Sequence, residues 1–404
     1  MENLTRRSAM LGFGLAAVSA GLSATAATAA PAAASGPAVT LTPASGPAGT
    51  IVTLAGSGFP RSSAGTITGA AAAVSFQTTK SGSFSAQATI GGASRGQVVL
   101  TAAAGQSSLA TAFTVTGIPP VSTAFLRFGV ATPGGAMAGT ELDAVATLVG
   151  ESPGIVLSYK DFNQAPPLAE LDFVVNRGAT PLVTWEPWIA GSGVNQPAYT
   201  LARIVAGDFD PYISQWGAAL AAWGKPLMLR FAHEMNGDWY PWCEAANGNR
   251  PGDYVSAWRH VHSLVNAAGA ANVNWVWAPN GGGSVDPALL YPGDAYVDTV
   301  GLDAYNWGTA QLWSSWQMPA TLFGPYLGQL RSIAPGKPII ITETASTEAG
   351  GSKPDWNTAL VSYLRTQADV TGFVWFDFNK ETDWRIDSST ASASSLAAAL
   401  AARR

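Results

Sequence analysis

The sequence predicts an α/β protein in which a (β/α)8 TIM barrel follows a small all-β sandwich. Two shifts along the chain carry that expectation. Residues 36–117 contain no Trp, His or Cys and are rich in Gly, Ala, Ser, Thr and Val, whereas all 15 tryptophans lie between Trp185 and Trp384. Beyond Phe125, apolar β-rich runs alternate with stretches whose apolar residues recur at helical spacing. One such stretch places Val255, Trp258, Val261 and Val265 on a single helix face. The expected strands are 125–132, 155–161, 181–185, 226–232, 273–278, 299–305, 338–342 and 372–378. Eight strands with intervening helices in about 280 residues fit a closed barrel. An open doubly wound sheet would carry a Gly-rich phosphate turn after its first strand, and Thr132-Pro133-Gly134-Gly135-Ala136 does not fit that fingerprint.

The first residues are of a different kind. Arg6 and Arg7 precede a mild apolar, Ala-rich run that ends in small residues at A-x-A spacing before Pro31. That is the grammar of a signal peptide over residues 1–34, and the arginine pair points to the twin-arginine route. Gly, Ser and Thr interrupt the run, which suits export better than a membrane anchor of about 20 strongly apolar residues. The mature protein is expected to be secreted and free of the membrane.

Between residues 36 and 117, alternating runs such as Thr50–Leu54, Val74–Thr78 and Gln97–Thr101 are separated by Gly and Ser turns, the pattern of a β-sandwich. The stretch Ser45–Phe59, with its spaced glycines and Pro47, resembles the opening of an IPT/TIG-type immunoglobulin-like domain. The resemblance implies an Ig-like module; such a module could bind carbohydrate, but with only Phe59, Phe76, Phe84 and Phe113 as aromatic residues, all expected in its core, a spacer fits it better. Residues 118–124 read as a short stiff linker, and residues 125–404 as the barrel domain.

Composition excludes several classes of function. The net charge is −5 and only 12% of residues are charged, so no basic field exists for nucleic acid or anionic lipid. A neutral polymer such as a polysaccharide suits this balance, and the protein is expected to act as a monomer. The lone Cys243 forms no intramolecular disulfide and no thiolate cluster. His233-Glu234 is not the start of an H-E-x-x-H zinc helix, because Gly237 stands where the second histidine is required. Neither a metal nor a cofactor is expected.

In a barrel the chemistry collects at the C-terminal ends of the strands. Here those ends read Trp185-Glu186-Pro187-Trp188, His233-Glu234-Met235-Asn236, Trp277-Ala278-Pro279-Asn280, Asp303-Ala304-Tyr305-Asn306-Trp307, Thr342-Glu343 and Trp375-Phe376-Asp377. Two carboxyl groups on opposite sides of one bond are what glycoside hydrolysis requires. Glu234 and Glu343 end the fourth and seventh strands, so closing the barrel brings them face to face. Alternation puts Met228, Arg230, Ala232 and Glu234 on one side of strand four and Leu227, Leu229 and Phe231 on the other. The set with charges should point inward. By the same parity Asp303 and Tyr305 go together, as do Ile339, Ile341 and Glu343, and Tyr305 is placed to hydrogen-bond Glu343. Trp185, Trp188, Trp239, Trp242, Trp307 and Trp375 lie at or just past strand ends, where indole faces would stack on pyranose rings. His233 and Asn236 are candidate donors to sugar hydroxyls, and Glu186 a substrate-binding carboxylate or one half of an ion pair.

The run from Arg230 to Trp242, containing His233-Glu234-Met235-Asn236-Gly237 and Trp239, resembles the acid/base motif of glycoside hydrolase family 26. Asp303-Ala304-Tyr305 and Ile340-Ile341-Thr342-Glu343 resemble its strand-six and nucleophile motifs. The resemblance spans roughly residues 125–400. It implies a retaining mechanism with Glu234 as acid/base and Glu343 as nucleophile, and a −1 subsite lined by His233, Trp239, Tyr305 and Trp375. It implies activity on β-1,4-mannan, with mixed-linkage β-1,3-1,4-glucan and β-1,3-xylan as alternative substrates of the same scaffold. Trp185-Glu186-Pro187-Trp188 departs from the mannanase pattern.

Overall fold

The computed structural model describes residues 36–46, 50–90, 96–115 and 124–403. The expected signal peptide lies outside the described residues, as does the expected linker apart from Ala124. Eight strands precede the barrel: β1 (Ala38–Thr42), β2 (Ser45–Gly46), β3 (Ile51–Ser57), β4 (Ala64–Thr68), β5 (Val74–Gln77), β6 (Phe84–Thr89), β7 (Gly96–Ala104) and β8 (Ser107–Val115). They form one sheet of order β1-β3-β6 and another of order β2-β8-β7-β4-β5, antiparallel except where β2 meets β8. Val52, Leu54, Ile67, Leu100 and Phe113 are buried between them, so strand alternation builds this core. Phe59 and Phe84 are buried with them, and Phe76 stacks on Phe84 at 3.9 Å.

The eight barrel strands are β9 (Arg127–Ala131), β10 (Ile155–Asp161), β11 (Thr180–Glu186), β12 (Leu227–Phe231), β13 (Val273–Trp277), β14 (Thr299–Asp303), β15 (Ile339–Thr344) and β16 (Val370–Phe376). Each pairs in parallel with the next and β16 returns to β9, closing the barrel that the alternating pattern predicts. The helices are α1 (Gly139–Val149), α2 (Leu168–Asn176), α3 (Leu201–Val205), α4 (Asp210–Trp223), α5 (Asp253–Ala267), α6 (Pro319–Ile333), α7 (Lys353–Arg365) and α8 (Thr390–Ala402). Alternation is broken twice: two helices follow β11, and only 3-10 turns at Pro287–Leu290 and Asp294–Tyr296 follow β13. A left-handed Gly224 (φ 69°) ends α4, a conformation that costs glycine least. Among the described residues no helix is long and apolar enough to cross a membrane.

Two apolar layers follow from strand parity. Ala131, Ile155, Leu157, Leu182, Met228, Val276, Ile340 and Val374 fill the barrel interior. Val183, Trp185, Leu229, Phe231, Leu302, Phe373 and Trp375 point outward into the larger core shared with the helices. Nine tryptophans (Trp185, Trp216, Trp242, Trp258, Trp275, Trp277, Trp356, Trp375 and Trp384) are fully buried, so packing claims most of the indole content.

The parity expected for strand seven is corrected by a bulge. Ile340 faces the interior, while Ile339 and Ile341 pack against the helices. Leu302 pairs with Ile341 but Asp303 pairs with Glu343, which leaves Thr342 as an extra residue on β15. The extra residue re-aims the strand end, so Thr342 and Glu343 both reach inner-face partners.

The C-terminal end of α8 is tied back to the barrel by a buried ion pair. Arg403 donates Nη2 to Glu151 Oε1 at 2.6 Å and Nη1 to Oε2 at 2.9 Å, and its Nε donates to the Leu126 carbonyl at 2.7 Å. Their side chains are 0% and 1% exposed. Removing one partner leaves a buried charge uncompensated. Arg403→Ala is therefore expected to lower stability by about 3–5 kcal/mol, read as a lower urea midpoint. The double replacement Arg403→Met with Glu151→Leu should recover much of that loss.

Candidate active site

At the C-terminal mouth of the barrel lies a cavity of about 1060 Å³, lined by both Glu234 and Glu343. Glu234 sits three residues beyond β12 on a strained backbone. Ala232 and Glu234 have φ of 45° and 51°, values that non-glycine residues adopt only when their surroundings enforce them. Those surroundings are visible. The carbonyls of Ala232, His233 and Glu234 accept from Tyr254 Oη (3.1 Å), Trp242 Nε1 (2.6 Å) and Cys243 Sγ (3.6 Å) respectively. The Glu234 amide donates to the Ala278 carbonyl at 2.8 Å. A side-chain clamp on each carbonyl fixes where the carboxyl points.

The Glu234 carboxyl accepts from Asn280 Nδ2 and Trp239 Nε1, each at 2.8 Å. Trp239 reaches back because Gly237 lies under its ring; a Cβ there would stand 2.5 Å from the indole carbons. Asn280 is clasped by Asn236, whose Oδ1 accepts the Asn280 amide and whose Nδ2 donates to its carbonyl, both at 2.8 Å. Burial raises the Glu234 carboxyl to about 7; the charge of Glu343 adds to the rise, and its two donors and Arg230 oppose it.

Glu343 has a different set of neighbours. Its Oε1 accepts from Tyr159 Oη at 2.7 Å and from Arg230 Nη2, and its Oε2 accepts from Tyr305 Oη. Burial, and then the charge of Glu343, raises both phenols well above their usual value, so they remain donors. Arg230 is fully buried inside the barrel. It also donates Nη1 to Asp303 Oδ2 at 2.6 Å and Nε to Thr184 Oγ1 at 2.8 Å, and Thr342 Oγ1 donates to Asp303 Oδ1. One guanidinium thus joins β11, β12, β14 and β15.

Among the expected site residues, Glu186, Trp188, His233, Glu234, Trp239, Tyr305, Trp307 and Glu343 line the cavity. Five others do not. Trp185 and Trp375 lie on the outward parity of β11 and β16: Trp185 stacks on Trp216 at 4.4 Å, and Trp375 packs on Trp356 and donates to the Trp384 carbonyl. Trp242 is buried beneath His233 as a backbone clamp rather than a sugar platform. Asn236 acts on Asn280, and Asp303 on Arg230, each from behind the wall.

Sequence reading missed Tyr159, Tyr240 and Trp313 as lining residues, placed Asn280, Phe376 and Phe378 at strand ends without giving them a role, and did not find Arg230 as the centre of the cluster. Period-two alternation contains some of the signal: Leu157 and Tyr159 share the inner face of β10, and Val374 and Phe376 that of β16. No period marks Tyr240 or Trp313, which come from loops, although Tyr240 lies within the Arg230–Trp242 run.

Glu186 is buried, accepts from Trp188 Nε1 at 2.9 Å and is raised to about 7 by desolvation. Among the described residues, His233, Glu234 and Asp303 bring one potential metal-ligating atom each within 4.8 Å of one another. Asp303 is already engaged by Arg230 and Thr342, and the guanidinium opposes a second cation beside it.

Residues 192–364 match the model of glycosyl hydrolase family 26. The chain is 42% identical over 236 residues to Endoglucanase H of Acetivibrio thermocellus, covering 57% of this chain and 25% of that protein. It is 32% identical over 87 residues to a mannan endo-1,4-β-mannosidase of Bacillus subtilis, covering 20% of this chain and 24% of that protein. The chain therefore spans about a quarter of the length of these curated relatives. In fold it resembles a modular endo-β-1,4-mannanase from Cellulomonas fimi, with a TM-score of 0.53 and 20% identity over 68% of this chain and 70% of that one. The matched stretch, from the loop after β11 to α7, carries Arg230, the Glu234 clamp and the Glu343 bulge, and in these residues the chain is similar to glycosyl hydrolase family 26.

Proposed function

We propose that this protein is a retaining glycoside hydrolase that cuts β-linked, mannan-type polysaccharide by double displacement. The observation that carries this reading is the contrast between two carboxyl groups in one cavity. Glu234, raised to about 7, keeps its proton below that value and serves as acid. Glu343 takes donors on both oxygens, one of them a guanidinium, and so has its negative charge compensated in place.

In the first step Glu343 attacks the anomeric carbon while Glu234 gives its proton to the departing glycosidic oxygen. A covalent glycosyl ester results. Glu234, now a carboxylate, takes a proton from water; that water attacks the anomeric carbon and releases Glu343. The Arg230 cluster supports close approach of the two groups, since Asp303 shares the guanidinium with Glu343 and lies within 4.8 Å of a Glu234 oxygen. Trp188, Trp239 and Trp307 supply apolar faces for neutral sugar rings.

A second substrate, mixed-linkage β-glucan, is favoured by one observation. The match to a protein named an endoglucanase is longer and higher in identity than the match to the mannosidase. Secretion belongs to the same proposal, supported by Arg6, Arg7 and the small residues before Pro31.

Reducing-sugar release from galactomannan that disappears in Glu343→Ala is the expected outcome; release from barley β-glucan alone would keep the mechanism and change the backbone sugar. Glu343→Ala should lose at least ~10⁴-fold in kcat with an unchanged circular dichroism spectrum. Glu234→Ala should slow polysaccharide cleavage far more than cleavage of activated aryl glycosides, and equal losses on both would sink its role as acid. Because the acid form of Glu234 is the active one, kcat/KM on oligosaccharides should fall as pH rises through about 7. That limb should be absent for aryl glycosides whose leaving groups need no proton.

A further inference from the structure

His233 carries a polar atom without a protein partner. Its Nδ1 is buried and makes no hydrogen bond, an uncommon condition for a ring nitrogen. Facing it is Glu186 Oε1 at 3.9 Å, and the two side chains are 2% and 7% exposed. Neither group is loose. Tyr240 and Trp242 pack on the imidazole at centroid distances of 5.0 and 5.8 Å, with Tyr159 at 6.3 Å. Glu186 is anchored through Oε2 by Trp188 Nε1, which leaves Oε1 turned to the ring. Both residues line the cavity.

A neutral imidazole bears its proton on one nitrogen only, and the group facing that nitrogen decides which. His233 is kept neutral by burial and by the charge of Arg230, which push its pKa well below the usual value. An ionised carboxylate only accepts, so Glu186 beside Nδ1 favours the proton there. We propose that Glu186 is a positioning residue that holds His233 as the Nδ1–H tautomer, so that Nε2 presents the cavity with a hydrogen-bond acceptor for a hydroxyl of the bound sugar. An approach of about 1 Å turns the present separation into a hydrogen bond. The assignment gives His233 a distinct task. Trp239 Nε1, Asn280 Nδ2, Tyr159 Oη and Tyr305 Oη are all donors already spent on the two catalytic carboxyls, and a neutral acceptor reads the hydrogen of a hydroxyl instead. The sugar half of this inference rests on the glycoside hydrolase reading; the tautomer half does not.

The test is ¹⁵N spectroscopy of the full chain at pH 8, above the value near 7 to which burial raises Glu186. The protein has three histidines, and His233→Asn identifies the signals of interest by their loss. The expected result is a protonated Nδ1 and an unprotonated Nε2 in the parent, moving toward the Nε2–H form in Glu186→Met. Glu186→Asp, which keeps a carboxylate, should retain more of the Nδ1–H form than Glu186→Met. The kinetic counterpart is a fall of about tenfold in kcat/KM for Glu186→Met, the worth of one hydrogen bond. An Nε2–H tautomer in the parent, or an unchanged tautomer in a folded Glu186→Met, overturns the proposal. Tautomer control by Glu186 in a protein that cleaves no glycoside would instead overturn the functional reading and leave the pair standing.

Discussion

A fully buried guanidinium organises the mouth of this barrel. Arg230 lies among apolar side chains, where an unpaired charge would be very costly. Its burial is tolerable because Asp303, Glu343 and Thr184 satisfy three of its nitrogens. The constraint runs the other way as well. Asp303 and Glu343 can sit in the same low-dielectric space only because the cation is between them, and Thr342 completes the set from the bulged strand. Since the four strands involved are far apart in sequence, closure of the barrel and assembly of the site are one event.

The segment 232–234 shows how the protein holds a geometry that the backbone alone would reject. Two left-handed non-glycine residues, one on either side of His233, are kept in place by Tyr254 from α5, by Trp242 and Cys243 from the following loop, and by the carbonyl of Ala278. The lone cysteine and one of the largest aromatic residues thus serve as clamps. That explains why Trp242 is not free to meet a ligand, although its neighbour Trp239 is 38% exposed and turned over Gly237 toward Glu234. Strain concentrated at this point is consistent with a site in which position matters more than local stability.

The two carboxyl groups differ through their surroundings rather than their identity. Glu234 meets neutral donors and the repulsion of Glu343; Glu343 meets a cation and two phenols. Glu186 and His233 add a third polar point beside the aromatic side chains of the wall. Such division of environments is how chemically identical side chains take different roles in one cavity.

Much of this was legible in the chain itself. Alternating apolar periods mark all eight barrel strands, and polar residues at their C-terminal ends mark Glu234, Glu343, His233 and Tyr305, because a parallel barrel gathers strand ends at one mouth. Strict alternation also contained the outward direction of Trp185 and Trp375, which their position at strand ends obscured. Tertiary structure alone decided the rest. The bulge at Thr342 inverts the parity expected for strand seven, and a one-residue irregularity leaves no mark on a hydrophobic pattern with a period of two. Tyr240 and Trp313 reach the cavity from loops that carry no period, and the role of Arg230 depends on four strands meeting around one charge, a contact that no local stretch of sequence encodes.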